Sequence, residues 1–359
     1  LIPPRASTFH TFNTPSLQHR QQDAHTSASN LHNKRHTTRF AYGKPINIGH
    51  WNVQDIRKAT APKQLTQYMA EHKLHIMAMA ETHLTESTTY QIDGYAFYFS
   101  SDQHNGSGVG VIVAPHFRPY IAAIIPHSGR FLEIQIATKG QNTTLFITYA
   151  PHQGEQHDQH RAEYWQELED LVNSKPDTSP TFVIGALNPR LHARLLDEKH
   201  IIGSHIYGLG PSALATDDTQ QDTQPNRAHL VEVLNNTSMV VANTSRTLSP
   251  THRISYREIK THKCTRFSPA DYTQLDHLLS KAAWLPAVIA TRTYPHQHWQ
   301  SNHFMMKCTI RIQLAARKIF AAKPPRLQYT LPTEDEQVGF YQQYNQHIAN
   351  FLSTNRFAI

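Results

Sequence analysis

Apolar and polar residues alternate from Pro45 onward, through Ile46-Asn47-Ile48-Gly49-His50-Trp51-Asn52-Val53, and a period of two predicts a strand. Pro62 to His72 carries Leu65 and Met69 at helical spacing, and Leu74 to Ala80 is a compact apolar strand ending on Glu81. Strand-like runs then follow closely at Tyr95 to Ser100, Gly108 to Ala114, Phe131 to Ala137 and Thr143 to Ala150. Runs this dense, divided by turn residues, predict meandering antiparallel sheets. A helix from about Gln159 to Asn173 would set Tyr164, Trp165, Leu168, Leu171 and Val172 on one side, and a second is expected near Arg227 to Asn235. Further strands are expected at Thr181 to Ile184, Met239 to Asn243, Ile254 to Ile259, Gln274 to Ser280, Val288 to Tyr294 and Phe304 to Ile312. The polar stretch 203–226 reads as a long surface loop. Strands interspersed with covering helices predict two packed, mostly antiparallel β-sheets flanked by helices across residues 45–313.

The two ends lack this texture. Residues 1–44 are rich in Ser, Thr, His, Gln and Asn without a sustained apolar period, and read as a disordered basic arm. Residues 314–359 read as a linker, Lys323-Pro324-Pro325-Arg326, and a terminal helix. Thr333 and Glu336 form a capping-box pattern, with Val338, Tyr341, Ile348 and Phe351 near one face. That helix has nothing of its own to bury against. Together with the opening Leu1, this reads as a piece of a longer chain.

Charge sharpens the division. The net charge of +7 looks like a nucleic-acid signature until it is located. Residues 1–44 hold six Lys/Arg and one acid, and 314–359 hold five Lys/Arg and three acids, which leaves 23 of each sign in 45–313. A grip on phosphate by the folded part must therefore come from local clustering. No apolar run approaches the ~20 residues that span a bilayer, so no membrane is expected as a partner. Two cysteines, Cys264 and Cys308, give no disulfide framework, and a reducing intracellular setting, nuclear or cytoplasmic, is expected.

Polar residues recur where the strands end. Trp51-Asn52 closes the first, Ala80-Glu81-Thr82-His83-Leu84 follows the second, and Tyr149-Ala150-Pro151 ends another. Gly185-Ala186-Leu187-Asn188, Leu275-Asp276-His277 and Ser301-Asn302-His303 come later. This order resembles the WN, QET, Y-x-P, GDxN, D and SDH motifs of the endonuclease/exonuclease/phosphatase superfamily. Within it, the AETHL, SGVGVIV and YAP wording is similar to the apurinic-type endonuclease domain of non-LTR (LINE-like) retrotransposons and to craniofacial development protein 2-like sequences. The passage RKIF…YNQHIANFL looks like their connector toward a reverse transcriptase, which would be the partner domain in a full-length polyprotein. The resemblance implies a four-layer α/β sandwich of the DNase I-like kind and cleavage of DNA, with RNA as an alternative binding partner.

Cutting a phosphodiester in line needs an activated water and stabilised charge on the phosphoryl and leaving oxygens. Mg²⁺, with Mn²⁺ as its substitute, suits this chemistry because one or two carboxylates can hold it while water and phosphate fill the remaining places. By resemblance, Glu81 and Asn52 are the metal ligands. His303 faces the phosphate, Asp276 orients His303, Tyr149 bonds the phosphate, and Asn188 positions the reacting oxygen. Two positions depart from the family pattern, since Ala186 stands for the Asp of GDxN and Asn302 for the Asp of SDH. An alanine cannot align or deprotonate water, which implies weakened metal binding and an impaired or inactive enzyme. The alternative is a non-catalytic nucleic-acid-binding module on the same fold. Asp55 is a possible substitute carboxylate.

Arg253, Arg257, Lys260, Lys263 and Arg266 cluster within a stretch containing one acid, Glu258, and form a candidate phosphate-contact surface together with Arg190. In a strand, Arg253 and Arg257 would share one face, with Tyr256 opposite. Arg194 is a further basic residue near Arg190. The histidines His152, His157, His160, His296 and His298 lack metal-ligand spacing and read as compositional background.

Overall fold

Helix α1 (Ala61–Glu71) shows how directly the local sequence writes the structure. Pro62 sits in its first turn, and Ala61, Leu65, Thr66 and Met69 fall on the buried face. It ends where Lys73 turns left-handed at φ 52°. Leu74 N–H then bonds Met69 O at 2.8 Å, and Lys73 N–H bonds Ala70 O at 3.2 Å. This is a Schellman closure, and Leu74 and Met69 pack together in the core beneath it.

The computed structural model describes residues 43–101, 107–152, 158–215, 224–246, 248–258, 269–295 and 299–314, together with 342 and 346. The chain forms two units, Leu1–Arg317 and Lys318–Ile359. In the second, residues 342 and 346 are helical. Most of the arm, the linker, the Thr333 capping box, Lys260, Lys263, Cys264, Arg266, His157, His296 and His298 lie outside the described residues.

The first unit runs β1 (Lys44–Asn52), α1 (Ala61–Glu71), β2 (Ile76–Ala80), β3 (Thr88–Ile92), β4 (Tyr95–Ser100), β5 (Val109–Val113) and β6 (Ile121–Ser128). It continues with β7 (Phe131–Ile136), β8 (Thr143–Tyr149), α2 (Asp158–Asn173), β9 (Thr181–Ala186), α3 (Ser212–Ala215) and α4 (Gln224–Asn236). The last elements are β10 (Met239–Val241), β11 (Tyr256–Arg257), β12 (Tyr272–Thr273), β13 (Asp276–Lys281), β14 (Val288–Tyr294) and β15 (Met305–Ile312).

One sheet has the order β14-β15-β1-β2-β5-β4-β3, the other β10-β13-β9-β8-β7-β6, and β11-β12 form a separate hairpin. Pairing is antiparallel except for β1 with β2 and β8 with β9. Strand alternation divides the apolar residues into three cores. Ile46, Ile48, Ile147, Ile184, Leu278 and Ile310 fill the space between the sheets. Trp51, Met77 and Phe97 on the opposite face of the first sheet pack with Leu65 and Met69 of α1. Phe146, Val183 and Leu279 on the outer face of the second sheet pack with Trp165 and Leu168 of α2 and Leu230 and Leu234 of α4. Three apolar interfaces make four layers, helix on sheet on sheet on helix, as in the DNase I-like α/β sandwich.

Several expectations are corrected. Lys44, read as part of the arm, opens β1. Polar β3 and proline-bearing β6 are strands the hydrophobic pattern did not show; both are sheet edges, where polar residues and Pro126 leave no central ladder bond unmade. The stretch 203–226 contains the helical turn α3 and the start of α4. Where a strand was expected from Ile254, only Tyr256–Arg257 pairs among the described residues, and Arg253 caps the short 3₁₀ turn Pro250–His252. Arg253 and Arg257 therefore do not share a strand face.

Candidate active site

At one end of the sandwich the face between the sheets changes from apolar to polar. Along β1, Ile46 and Ile48 belong to the central core, and the next two positions on that face are His50 and Asn52. Tyr149 follows Leu145 and Ile147 in β8, and Ala186 follows Phe182 and Ile184 in β9. Asp276 opens the antiparallel β13 beside them. Glu81, with φ 53°, and Asn188, with φ 63°, lie just past their strands in the left-handed region, so the chain turns sharply there.

Asp276 is the centre of this end. Its Oδ2 accepts from His303 Nδ1 at 2.8 Å and its Oδ1 from His50 Nε2 at 2.9 Å, with all three side chains buried. The backbone beneath is pinned. Ser255 Oγ accepts the N–H groups of both Leu275 and Asp276 at 2.9 Å. Asn243 Nδ2 donates to Asp276 O at 3.1 Å while its Oδ1 accepts from Leu278 N–H. Burial pushes the Asp276 carboxyl up, but the His303 charge and the hydrogen bonds from both imidazoles outweigh it, and the carboxyl is held far below its usual range. For His303, burial disfavours the charged form; the Asp276 carboxylate overcomes this and raises it. With Nδ1 committed to Asp276, His303 Nε2 faces Asn52, 3.4 Å from Nδ2.

Asn52 Nδ2 also donates to Glu81 Oε1 at 2.6 Å, which joins the two carboxylates through Asn52 and His303. His152 Nε2 lies 3.5 Å from Glu81 Oε1, and His83 Nε2 lies 3.9 Å from Oε2. Burial raises the Glu81 carboxyl, yet the hydrogen bonds from His152 and Asn52 and the His303 charge leave it below its ordinary value. The buried Tyr149 hydroxyl is bonded to His152, and burial and the Glu81 charge hold it well above its ordinary value, so it stays a neutral donor. Arg130 stacks 5.2 Å from the Tyr149 ring and donates to Tyr149 O.

Ala186 pairs with Tyr149 on one side and Asp276 on the other, and its methyl is fully buried. A carboxylate at this position would enter between them. Asn188 Nδ2 bonds Ala150 O at 2.9 Å, and its N–H bonds Leu275 O at 3.2 Å. The backbone of Asn302 is held by Gln54 Oε1 at 2.9 Å and by Arg257 N–H at 2.9 Å. The structure thus brings Asn52, Glu81, Tyr149, Asn188, Asp276 and His303 to one end of the sandwich.

Two of the predicted basic residues, Arg253 and Arg190, have other engagements. The Arg253 guanidinium bonds Leu248 O and Ile206 O and meets His205, while Arg190 pairs with Glu258 at 2.8 Å. Asp55 is tied to Arg57 through both oxygens. Among the described residues, no three His, Cys, Asp or Glu side chains are grouped to hold a metal. Glu81 is the carboxylate left to a hard cation, because Asp276 is committed to two imidazoles. One carboxylate with an adjacent amide is the minimum for Mg²⁺ that retains its waters. His50 and His152 were missed as site residues. His50 was legible by strand period two residues before Asn52. His152 lies three residues past Tyr149, where the backbone path decides.

His277, buried beside Asp276, is pushed down to about 4 by burial, with its bond to Pro189 O opposing. The folded chain refuses a proton that the unfolded chain accepts below about pH 6.5, so stability falls as pH drops from there toward 4, by about 3 kcal/mol. His303 has the opposite sign: its contribution is complete below pH 6.5 and fades as pH rises through its raised value. Asp276 loses its contribution only in stronger acid. Denaturant midpoints across pH should therefore peak near neutrality, with His277→Leu flattening the acid limb alone. An unchanged acid limb would show that His277 does not set it.

The endonuclease/exonuclease/phosphatase family model matches residues 49–303, more than half of the chain, and the protein belongs to that family. No curated protein matches it by sequence. The crystal structure of AP endonuclease LMAP from Leishmania major is similar with a TM-score of 0.55 and 16% identity, over 75% of this chain and 88% of that one. The endonuclease domain of TRAS1, a telomere-specific non-LTR retrotransposon, gives 0.49 and 14%, over 75% of this chain and all of that one. At 16% identity the likeness to the Leishmania major structure is one of fold. No described helix is long and apolar enough to cross a membrane.

Proposed function

We propose that this chain is a DNA endonuclease domain of the non-LTR retrotransposon type whose hydrolytic step is impaired because Ala186 and Asn302 stand where the family has Asp. One observation carries the reading: a methyl group sits in register between Tyr149 and Asp276, at the end of an otherwise connected Glu81–Asn52–His303–Asp276 chain. Glu81 and Asn52 would hold Mg²⁺, or Mn²⁺ in its place. When bound, that cation would neutralise charge on phosphoryl oxygens. His303 would present Nε2 to the phosphate, and Asp276 would favour the charged imidazole as negative charge develops. Tyr149 would donate a hydrogen bond to a phosphate oxygen, and Asn188 would position the reacting oxygen. The group that would take a proton from water is missing. The RKIF…YNQHIANFL passage supports a reverse transcriptase as the partner domain.

The buried methyl equally favours a second reading, a module that holds nucleic acid without cutting it. Anisotropy titrations of labelled DNA and plasmid nicking in Mg²⁺ separate the two. Binding is expected, with a trace of nicking that disappears in Glu81→Ala. Binding with no nicking above the Glu81→Ala level gives first place to the module, and failure to bind DNA or RNA sinks both.

A further inference from the structure

We infer that a recess beside this cleft receives one unpaired nucleobase of the bound strand. The inference rests on the nucleic-acid reading above and deepens it. The recess has a volume of about 490 Å³ and is lined by Gln54, Asp55, Lys58, Gln64, Trp299 and Gln300. That volume lies within the ~300–1,000 Å³ of small-molecule sites.

Its chemistry narrows the ligand. Trp299 supplies an aromatic wall. Gln64 supplies a carboxamide with a donor and an acceptor end, and Gln54 and Gln300, whose oxygens are taken by Asn302 N–H and Lys58, supply donor ends. The charged groups are engaged: Asp55 with Arg57 at 3.0 Å, and Lys58 with Gln300. A free phosphate would need more than the single cation, Lys58, that lines the recess, and a lipid chain would need apolar walls. An aromatic face beside amide edges instead suits a flat heterocycle with donors and acceptors around its rim, which describes a nucleobase.

Position links the recess to the cleft. Gln54 lines it while its Oε1 accepts the Asn302 N–H at 2.9 Å and its own N–H bonds Asn52 Oδ1 at 3.3 Å. Trp299 donates to Val53 O at 2.9 Å and packs on Trp51 with centroids 5.5 Å apart. Segments 52–55 and 299–303 therefore form a wall of both. Gln54 and Asp55 hold φ of 53° and 150°, values side chains rarely adopt. A nucleotide whose phosphate lies at Asn52 and His303 has its base within reach of Trp299.

The test uses the full chain and two short single-stranded DNA oligonucleotides of equal length, one with bases and one made entirely of abasic tetrahydrofuran units. Gln64 is exposed on α1, so Gln64→Trp fills the recess without touching the core; Gln64→Ala with Gln300→Ala removes its edges. Preference for the base-bearing strand should fall about tenfold in Gln64→Trp, the size of one base–aromatic stack, with affinity for the abasic strand unchanged. The double alanine variant should lose a smaller part. Irradiating a 5-iododeoxyuridine strand should crosslink Trp299 in the wild type and not in Gln64→Trp. Binding with an unchanged base preference, or crosslinks that map elsewhere, would overturn the recess and leave the proposed function standing. No binding to either strand would remove both.

Discussion

Replacing Ala186 with aspartate is expected to raise Mg²⁺-dependent plasmid nicking by about 10²–10⁴-fold, the usual worth of a positioned general base. The register decides where the new carboxylate goes, since β9 holds position 186 between Tyr149 and Asp276, facing the space between the sheets. Such a buried charge lies near two existing carboxylates. Without a divalent cation the variant should lose on the order of 3–5 kcal/mol of stability, the scale of an uncompensated buried charge. Adding Mg²⁺ should recover part of that loss, because the cation binds only the folded state. Asn302→Asp should give a smaller gain, read mainly as a lower Mg²⁺ requirement, and the two gains need not add. Glu81→Ala and His303→Ala should each abolish the restored activity. If the doubly restored protein folds and binds DNA yet never nicks it, damage at Ala186 is not what disables the site.

The second large effect concerns Asp276. Asp276→Asn keeps the shape of the side chain and its backbone pins at Ser255 and Asn243 but removes the charge shared by His50 and His303. Two buried imidazoles would then face one neutral amide that cannot accept from both as the carboxylate does. A loss of about 3–5 kcal/mol in denaturant unfolding is expected, the penalty for breaking a buried ionic contact from one side. His303→Gln should cost less, because Asp276 keeps His50. A double-mutant cycle between these changes measures the coupling. Equal losses from both single variants would show that Asp276 is not the hub.

Legibility followed the physics of each element. Inner strands such as β4, β7 and β8 were readable to within a residue because neighbours on both sides and burial impose the pattern. Edge strands β3 and β6 were not, since an edge has no second neighbour to demand apolar residues. The end residues Asn52, Glu81, Tyr149 and Asp276 were found by motif order, which strand ends preserve. Arg253 was misplaced because a sequence shows charge but not where a guanidinium turns, and here it turns onto backbone carbonyls. His152 looked like one of many histidines; only the fold sets it against Tyr149 and Glu81.

The pairing of β1 with β15, Lys44 opposite Ile312, also governs how the domain comes into being. Strand β1 has β2 as an early partner on one side, but its other edge waits for nearly the whole domain to be synthesised. Trp51 Nε1 waits as well for His303 O, 252 residues away. Non-local closure of this kind slows folding, and the open edge of β1 is an aggregation hazard in the interval. A chain ending before His303 would leave that edge permanently bare and Asp276 without that imidazole. During synthesis, the cleft is the last part of the domain to form.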